Sequence, residues 1–360
     1  MKILVAINGM ATGGAEKLVA DTTPIFQQSG IEVDVLLLNG SETPLLQKLK
    51  STSKGEIISL GRRSVYDIRN VFSLIKYMSK YDLIHVHLFP ALYFVAIAKL
   101  LSLSKVKLVY TEHSTNNRRR NKLFFKITDK LIYKLYHKVI TISPEVDDQL
   151  RAHLKSSAQK FVVIPNGILF DSFRKAVPHP KTNFCNIDDR ILVQVSSFRY
   201  PKDQPTVIRA LQYLDNNVKL LLVGEGPKLT ECRQLTKELS LEDRVLFLGI
   251  RMDVPQILRT ADIVILSSVY EGLSLSSLEG MACGRPFIAS EAPGLTSVVG
   301  GAGVLFPIGD HQKLAHEINK LLINKGLYRE VADLCIERAS DYDILKMVKR
   351  YSEVYRHLTL

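Results

Sequence analysis

Cysteine is scarce in this 360-residue chain, and its four cysteines are widely spaced. None belongs to a CxxC pair, and no histidine stands at the spacing of a metal site. This pattern excludes a zinc site and a disulfide scaffold as the basis of the fold, and it favours a reducing compartment. The cysteines are Cys185, Cys232, Cys283 and Cys335.

Long apolar runs are missing as well. The longest apolar region, residues 88–101, contains Pro90 and Lys99 and is shorter than the ~20 residues of a membrane-spanning helix. At the amino end, residues 3–7 are too few for the core of a signal peptide, and no small-residue cleavage site follows them. We therefore expect a cytoplasmic protein that does not cross a membrane.

The composition is that of a globular protein, but its charge is uneven. Hydrophobic residues make up 46% and charged residues 23% of the chain, which excludes disordered and fibrous classes. The net charge of +12 divides into +11 for residues 1–170 and +1 for residues 171–360. This asymmetry predicts two halves with different partners, one of them anionic.

Strand-like and helical patterns alternate along most of the chain, which predicts α/β domains with mostly parallel sheets. The alternation lapses in a polar stretch and ends before a last amphipathic segment. In such domains ligands bind at the carboxyl ends of the strands, so two domains in series predict a cleft between them. We predict a first domain at 1–170, a linker at 171–189, a second domain at 190–340 and a terminal helix at 341–360.

A strand-turn-helix unit in the second half carries two carboxylates. The aliphatic run at 263–267 predicts a buried strand, Glu271 follows in a turn, and apolar residues at helical spacing begin at Leu275. A helix that starts at small residues presents backbone N–H groups and its positive dipole end, which suits a diphosphate. Glu279, eight residues after Glu271, would then reach ribose hydroxyls. On spacing alone, an ordinary turn residue and a solvated helix residue explain the two glutamates equally well.

The sequence around these glutamates, EGLSLSSLEGMACGRP, resembles the signature of family 4 glycosyltransferases. Further segments resemble blocks of that family, in the family's order and over most of the chain. They are MATGGAE at 10–16, DLIHVH at 82–87, TEHS at 111–114, VIPNGI at 163–168, residues 197–204, LVGEGP at 222–227, VLFLGIRMDV at 245–254 and residues 301–310. The resemblance implies a GT-B fold: two doubly wound Rossmann-like domains with a cleft between them, and a final helix that crosses back to the first domain.

The resemblance also implies a reaction. A sugar moves from a nucleotide donor to an acceptor with retention of anomeric configuration, without a cofactor and without an obligatory metal. Asp341-Tyr342-Asp343 matches a metal-binding DxD pattern, but its place at the start of the last helix favours a capping role. The first half shows no carboxylate pair of the kind that retaining hydrolases use. The family's mechanism is front-face substitution, in which the departing phosphate helps to deprotonate the acceptor.

The roles that the resemblance implies carry over to individual residues. Glu271 would contact the donor sugar, Glu279 the ribose, and His113 the sugar from the first domain. Lys202 and Arg199 would neutralise the diphosphate, because cations stabilise the charge that develops on a leaving group. The residues that would bind the nucleotide beside Glu279 are Gly272, Leu273, Ser274, Leu275, Gly13, Gly14, Gly224 and Arg251.

One detail departs from the commonest form of the pattern. The commonest family form has its arginine directly after a glycine at the strand end, the position of Ser197, whereas this chain has SSFRYPKD with Arg199. A family variant carries arginine at the later position, and a solvated loop is the alternative for Arg199 and Lys202. His85 and His87 alternate on a predicted strand, which favours a core or indirect role.

The donor and the acceptor are less closely specified. LGIRMDV at 248–254 resembles the base-binding loop of UDP-using members, so we expect a UDP-sugar, and a GDP-sugar stays open. The expected role is the addition of a hexose or related sugar to a glycan or lipid-linked acceptor in surface polysaccharide, lipopolysaccharide or capsule biosynthesis. A GT-B sugar-nucleotide epimerase and a non-catalytic nucleotide-sugar-binding relative are the alternatives.

Residues 118–138 are strongly basic, with eight Lys or Arg and the single acid Asp129. Interleaved apolar residues predict a helix with an apolar stripe edged by cations, which is typical of a helix on an anionic membrane. A solvated helix with an ordinary core face explains the pattern equally well. Nucleic acid is not expected, because no stacking platform or DNA-binding motif accompanies the charge. We therefore expect a peripheral protein on the inner face of the membrane. The apolar residues are Leu123, Phe124, Ile127, Leu131, Tyr133 and Leu135.

Overall fold

The computed structural model describes residues 1–11, 13–114, 122–156 and 159–359. The chain divides into two compact units, of which unit 1 comprises Met1–Gly167 and Ile344–Leu360, and unit 2 comprises Ile168–Asp343. The predicted domain ends at 170 and 340 lie within a few residues of these boundaries. None of the described helices is both long and apolar enough to cross a membrane.

Unit 1 is built on a parallel sheet with the strand order β3-β2-β1-β4-β5-β6-β7. Its strands are β1 (Lys2–Ile7), β2 (Glu32–Leu37), β3 (Ile57–Ser59), β4 (Leu83–His87), β5 (Lys107–Glu112), β6 (Lys138–Thr141) and β7 (Phe161–Val163). Its helices are α1 (Gly14–Gln28), α2 (Pro44–Thr52), α3 (Arg69–Ile75), α4 (Ala91–Leu101), α5 (Leu123–Lys134), α6 (Pro144–Leu154) and α15 (Ile344–Thr359). Every residue of β4 is buried, as in a parallel sheet that is covered on both faces. The order of strands reverses between β1 and β4.

Unit 2 is built on a second parallel sheet, with the order β10-β9-β8-β11-β12-β13. Its strands are β8 (Arg190–Val195), β9 (Val218–Val223), β10 (Val245–Gly249), β11 (Ile263–Leu266), β12 (Phe287–Ser290) and β13 (Val304–Phe306). Its helices are α7 (Phe170–Arg174), α8 (Gln204–Ala210), α9 (Leu229–Glu238), α10 (Val254–Thr260), α11 (Leu275–Ala282), α12 (Thr296–Val299), α13 (His311–Ile323) and α14 (Lys325–Ser340). Here the order reverses between β8 and β11.

The predicted linker at 171–189 belongs to unit 2. α7 packs against α10 and α11, and Phe173 is buried there. Farther along, the Arg259 guanidinium donates to the Ala176 carbonyl oxygen at 3.3 Å. The polar, proline-containing composition of this stretch therefore reflects a path over the surface of unit 2.

The terminal helix α15 packs within unit 1. Its tyrosines Tyr351 and Tyr355 are buried, and their ring centroids lie 6.4 and 5.5 Å from that of Phe26 on α1. Asp341 is the C-cap residue of α14, and Asp343 directly precedes Ile344, the first residue of α15. The capping role of the DxD pattern therefore stays a prediction for Asp343, and Asp341 belongs to the end of the preceding helix. Within the described residues, no group of three or more His, Cys, Asp or Glu is placed to hold a metal ion.

Candidate active site

The strand order of unit 2 places two loops side by side. β8 pairs with β9 on one side and β11 on the other, all parallel, and the order of the chain reverses between β8 and β11. Such a reversal opens a crevice at the carboxyl ends of the strands, where ligands bind. The loop after β8 contains Arg199 and Lys202, and the loop after β11 contains Glu271.

Backbone and side-chain hydrogen bonds lock these loops together. Val269 N donates to Pro201 O at 2.9 Å, and Asp203 N donates to Ser267 O at 3.1 Å. The Asp203 carboxylate also accepts from Ser267 Oγ at 3.1 Å and caps α8. The loops are therefore held at a fixed separation before any ligand binds.

Lys202 and Glu271 form a salt bridge across this junction, from Nζ to Oε1. Only 14% of the lysine side chain and 12% of the glutamate side chain are exposed. A mostly buried pair of this kind is costly to desolvate, so its members are sensitive to any new charge that enters the crevice. An anionic diphosphate would compete with Glu271 for the ammonium group.

The loop after β12 contacts the turn at Glu271. Glu271 N donates to Pro293 O at 2.9 Å. Gly294 has a φ of +82°, and a Cβ there would lie 2.2 Å from Gly272 O. Only glycine allows this close approach in this conformation. The backbone of Glu271 and Gly272 is thereby fixed by two neighbouring loops.

α11 begins directly after this turn. Its N-cap residue Ser274 makes no side-chain hydrogen bond to the helix, and the Ser277 hydroxyl instead donates to Ser274 O at 2.7 Å. The amino end of α11, where the helix dipole is positive, therefore directly follows the turn at Glu271 and has no side-chain cap from Ser274. Glu279 lies farther along α11 and is only 4% exposed, as suits a carboxylate that serves a specific partner. The predicted residues Gly272, Leu273, Ser274 and Leu275 directly follow Glu271, the salt-bridge partner of Lys202, and Glu279 lies within α11.

The remaining predicted residues of unit 2 lie on neighbouring loops. Arg199 is exposed and shares the Lys202 loop, since Lys202 N donates to Arg199 O at 2.8 Å. Gly224 directly follows β9 and has a φ of +134°, and a Cβ there would lie 2.2 Å from Ser196 O. The backbone of Gly224 thus lies against the backbone of Ser196 at the edge of the crevice, with no room for a side chain on Gly224.

Arg251 is held by a partner that the sequence pattern did not identify. Its Nε donates to Asp253 Oδ1 at 2.8 Å, and His179 Nε2 lies 2.8 Å from Asp253 Oδ2. The hydrogen bond from Arg251 holds the pKa of the Asp253 carboxyl well below its usual range. The loop after β10 therefore presents a fixed arginine-carboxylate pair, in which the two residues are only two positions apart.

Unit 1 contains a cluster of histidines on β4 and directly after β5. His85 Nδ1 lies 2.6 Å from the Tyr355 hydroxyl, and its Nε2 lies 2.7 Å from Thr111 Oγ1. His87 Nδ1 lies 2.9 Å from Nε2 of the partly buried His113. The expectation of a core or indirect role for His85 and His87 agrees with their burial at 1% and 3% exposure.

Burial keeps this cluster uncharged. It lowers the pKa of His85 to about 3 and that of His113 to about 4. The pKa of His87 is also well below its usual value, first because of burial and then because of the neighbouring histidines. All three imidazoles are therefore neutral at pH 7, and His113 can offer one N–H or one lone pair to a ligand hydroxyl.

Gly13 and Gly14 lie at the amino end of α1, next to the side chain of Glu16 in the first turn of the same helix. Gly13 is the N-cap residue, and a Cβ on it would lie 2.2 Å from Glu16 Oε2. A side chain at position 13 would therefore require the Glu16 side chain to move. The binding of a nucleotide at Gly13 and Gly14 stays a prediction.

Two family models match the chain. Residues 12–171 match the model described as "Glycosyltransferase Family 4", and residues 179–340 match "Glycosyl transferases group 1". The chain belongs to the family 4 glycosyltransferases. The predicted family and the GT-B type of fold, with two parallel-sheet α/β domains, are confirmed.

This chain is similar to several known proteins, over shares of its length that differ from one protein to the next. N-acetyl-alpha-D-glucosaminyl L-malate synthase of Bacillus anthracis is 36% identical over 172 residues, which is 46% of this chain and 45% of that enzyme. The UDP-Gal:alpha-D-GlcNAc-diphosphoundecaprenol alpha-1,3-galactosyltransferase of Escherichia coli is 24% identical and covers 90% of this chain and 89% of that enzyme. Anabaena Alr3699/HepE, in a crystal structure with UDP-glucose, superposes with a TM-score of 0.86 at 23% identity, covering 99% and 100% of the two chains.

Proposed function

We propose that this glycosyltransferase moves a sugar from a nucleotide-sugar, preferably a UDP-sugar, to a glycan or lipid-linked acceptor in surface polysaccharide, lipopolysaccharide or capsule biosynthesis. The observation that carries the proposal is the Lys202–Glu271 salt bridge. It lies where the strand order of unit 2 reverses between β8 and β11, just before the start of α11. A cation, a carboxylate and the amino end of a helix lie together at the carboxyl ends of the strands, and this arrangement supports the binding of a diphosphate sugar there.

Each residue then has a distinct role. The diphosphate binds the α11 amino end at Gly272 to Leu275 and draws the Lys202 ammonium from Glu271. Glu271 accepts hydrogen bonds from the sugar hydroxyls, and Glu279 accepts them from the ribose. Arg199 adds a second, exposed cation that stabilises the leaving diphosphate. His113 contacts the sugar as a neutral imidazole.

The transfer step proceeds with retention. The bond between the anomeric carbon and the diphosphate oxygen breaks, and the acceptor oxygen bonds to the anomeric carbon on the same face. The acceptor proton passes to the departing phosphate oxygen, so atoms and charge balance without a side-chain base. The Lys202 ammonium and the α11 dipole stabilise the diphosphate that leaves, which makes a metal unnecessary; EDTA is expected to leave the rate unchanged.

The choice of UDP rests on relatives and on the loop after β10. The Escherichia coli relative is named for UDP-Gal, and Alr3699/HepE is described in complexes with UDP, UDP and glucose, and UDP-glucose. Gly224 and the Arg251–Asp253 pair would border the base. GDP is the alternative that a direct binding comparison tests.

The membrane proposal rests on α5 of unit 1. Along α5, the cations Lys126 and Lys134 are exposed beside the exposed apolar residues Phe124, Ile127 and Leu131. An apolar stripe beside cations favours an anionic membrane surface, on the inner face if the protein is cytoplasmic. Two details of the predicted stripe are corrected: Tyr133 is buried, and Leu135 packs partly against the core. Residues 118–121 lie outside the described part of the chain.

Thermal-shift measurements with UDP, GDP and their sugars test the proposed function. UDP is expected to raise the melting temperature more than GDP. Glu279→Ala is expected to weaken UDP binding about tenfold, because a hydrogen bond to a charged group is lost. Glu271→Ala should spare UDP and reduce turnover of the UDP-sugar. Equal and negligible effects of both substitutions would contradict the assignment.

Incubation with donor alone separates the two rival functions. An epimerase would convert the sugar-nucleotide to an isomer, which product analysis by chromatography would detect. A glycosyltransferase is expected to leave the donor unchanged or to hydrolyse it slowly. A non-catalytic relative would bind UDP in the thermal-shift assay but transfer nothing to any acceptor offered.

A further inference from the structure

Unit 1 contains an open groove with a volume of about 440 Å³. This volume lies within the range of small-molecule sites. Its wall is a set of aromatic rings in edge-to-face contact: the centroid of Phe89 lies 5.3 Å from that of Tyr93 and 6.0 Å from that of Phe125. Tyr66 and Leu131 line the groove from the rim and are 65% and 59% exposed.

The polar atoms of the wall are engaged with protein partners. The Tyr93 hydroxyl donates to Asp129 Oδ1 at 2.5 Å and lies 2.9 Å from Thr128 Oγ1. Asp129 is fully buried, and its second oxygen lies 2.8 Å from His153 Nε2. The groove therefore offers ring and aliphatic surface to a ligand, and its natural occupant is a hydrocarbon.

The position of the groove links it to the acceptor side of the enzyme. Phe89 follows His87 by two residues at the carboxyl end of β4, where the strand order reverses. The Asn8 side chain spans this point, because its Nδ2 donates to Phe89 O at 2.8 Å and its Oδ1 accepts from Ala91 N at 3.3 Å. A chain in the groove would thus hold its polar end near the strand ends that carry the histidines.

Charge on the neighbouring helix complements an anionic head group. Lys126, Lys130 and Lys134 recur every fourth residue along α5 and so form one row, and Lys134 lies one turn from the rim residue Leu131. Lys126 and Lys134 are exposed. Ammonium groups at this spacing suit the phosphates of a lipid diphosphate.

We propose that this groove binds the hydrocarbon chain of a polyprenyl-diphosphate-linked acceptor, next to its diphosphate. The inference rests on the proposed glycosyltransferase function and names its acceptor class. Two relatives that cover nearly all of this chain, from Escherichia coli and Campylobacter jejuni, are named for acceptors on diphosphoundecaprenol or diphospho-undecaprenol. A walled groove with a cation, Lys134, one turn from its rim suits one chain and its diphosphate, whereas a bilayer needs only a flat apolar face.

A tryptophan reporter tests the groove directly, because the chain contains no tryptophan. Phe124→Trp places the reporter at the rim, and geranylgeranyl diphosphate, added below its micelle concentration and without vesicles, is the probe. A saturable blue shift of the emission is expected. Adding Leu131→Ser should weaken binding about tenfold, because a rim leucine no longer covers the chain. Leu103→Ser, at an 89% exposed leucine outside the groove, is the matched control and should change nothing.

Three outcomes would overturn the inference. A blue shift with anionic vesicles but none with the free probe would mean bilayer docking only. The same shift with inorganic diphosphate would mean a phosphate site without a chain site. An equal loss in the Leu131→Ser and Leu103→Ser proteins would place the probe elsewhere. UDP thermal shifts on the same samples distinguish failure of the groove proposal from failure of the proposed glycosyltransferase function. A protein that binds UDP but not the probe would contradict only the proposal that the groove binds a hydrocarbon chain.

Discussion

His87 Nδ1 lies 2.9 Å from His113 Nε2, so one of the two imidazoles donates its N–H to the other. Both rings have a pKa well below the usual range because they are buried, and a neutral imidazole carries only one N–H. The tautomer of His87 therefore decides whether His113 presents a donor or an acceptor on its other nitrogen. His87 is a positioning residue for a group expected to touch the sugar.

We predict that His87→Leu lowers kcat for sugar transfer about tenfold and leaves the affinity for UDP unchanged, because His113 loses the partner that orients it. His87→Asn places an amide near the position of Nδ1 and should restore most of the rate. Steady-state kinetics with a UDP-sugar and UDP thermal shifts provide the two measurements. Equal rates for the leucine and asparagine variants would contradict the positioning role.

Acid should destabilise the protein through these histidines. An unfolded His113 titrates near 6.5, whereas burial lowers its folded pKa to about 4. Between these values the unfolded chain binds more protons, so the free energy of unfolding falls as pH falls through this window. From pH 7 to pH 5 we expect a loss of about 2 kcal/mol from His113, or several degrees in Tm.

The loss of Tm between pH 7 and pH 5 should be smaller for His113→Gln than for the wild type. His316→Gln, at an exposed histidine on α13, is the control and should retain the wild-type pH dependence. Differential scanning fluorimetry at the two pH values is sufficient. If His113→Gln loses as much Tm on acidification as the wild type, the neutral buried histidine is not the cause.

Lys202→Ala should weaken UDP binding by about ten- to a hundredfold and leave uridine binding unchanged, because only UDP carries the diphosphate that the ammonium would contact. Lys313→Ala removes a lysine of the same unit that also pairs with a glutamate, Glu317 at 2.7 Å, but on the exposed face of α13. That control should bind both ligands normally in calorimetry. A parallel loss of uridine binding in Lys202→Ala would show a disrupted fold instead.

Gly294→Ala should reduce turnover at temperatures well below its Tm. A Cβ there would lie 2.2 Å from Gly272 O and 2.4 Å from Glu271 O, so the backbone that aims Glu271 must move. Gly309→Ala is the matched control, since Gly309 has a similar φ of +78° with nothing within 4 Å of its Cβ. The control should cost ~1 kcal/mol of conformational strain and keep its activity. Equal activities of the two variants would contradict the role of the Gly294 contact.

Much of the candidate site lies in one stretch of sequence and could be predicted there. Glu271 and Glu279 are separated by a turn and part of one helix, so their relation depends on local structure and on the helical repeat. The same local signals predicted the α/β class and the two-domain division. Some short segments were missed: α2 and α10, of nine and seven residues, were not predicted.

The contacts that complete the site join residues far apart in the chain, and only the tertiary structure decided them. Lys202 meets Glu271 across 69 positions because β8 and β11 are neighbours, and strand order is a property of the whole sheet. The same is true of the His87–His113 pair and of Gly294 beneath Glu271. The sequence by itself determined which elements form and which chemistry they carry, because propensity and periodicity act locally. The partner of each side chain followed from the packing of those elements, where burial of apolar surface outweighs any local preference.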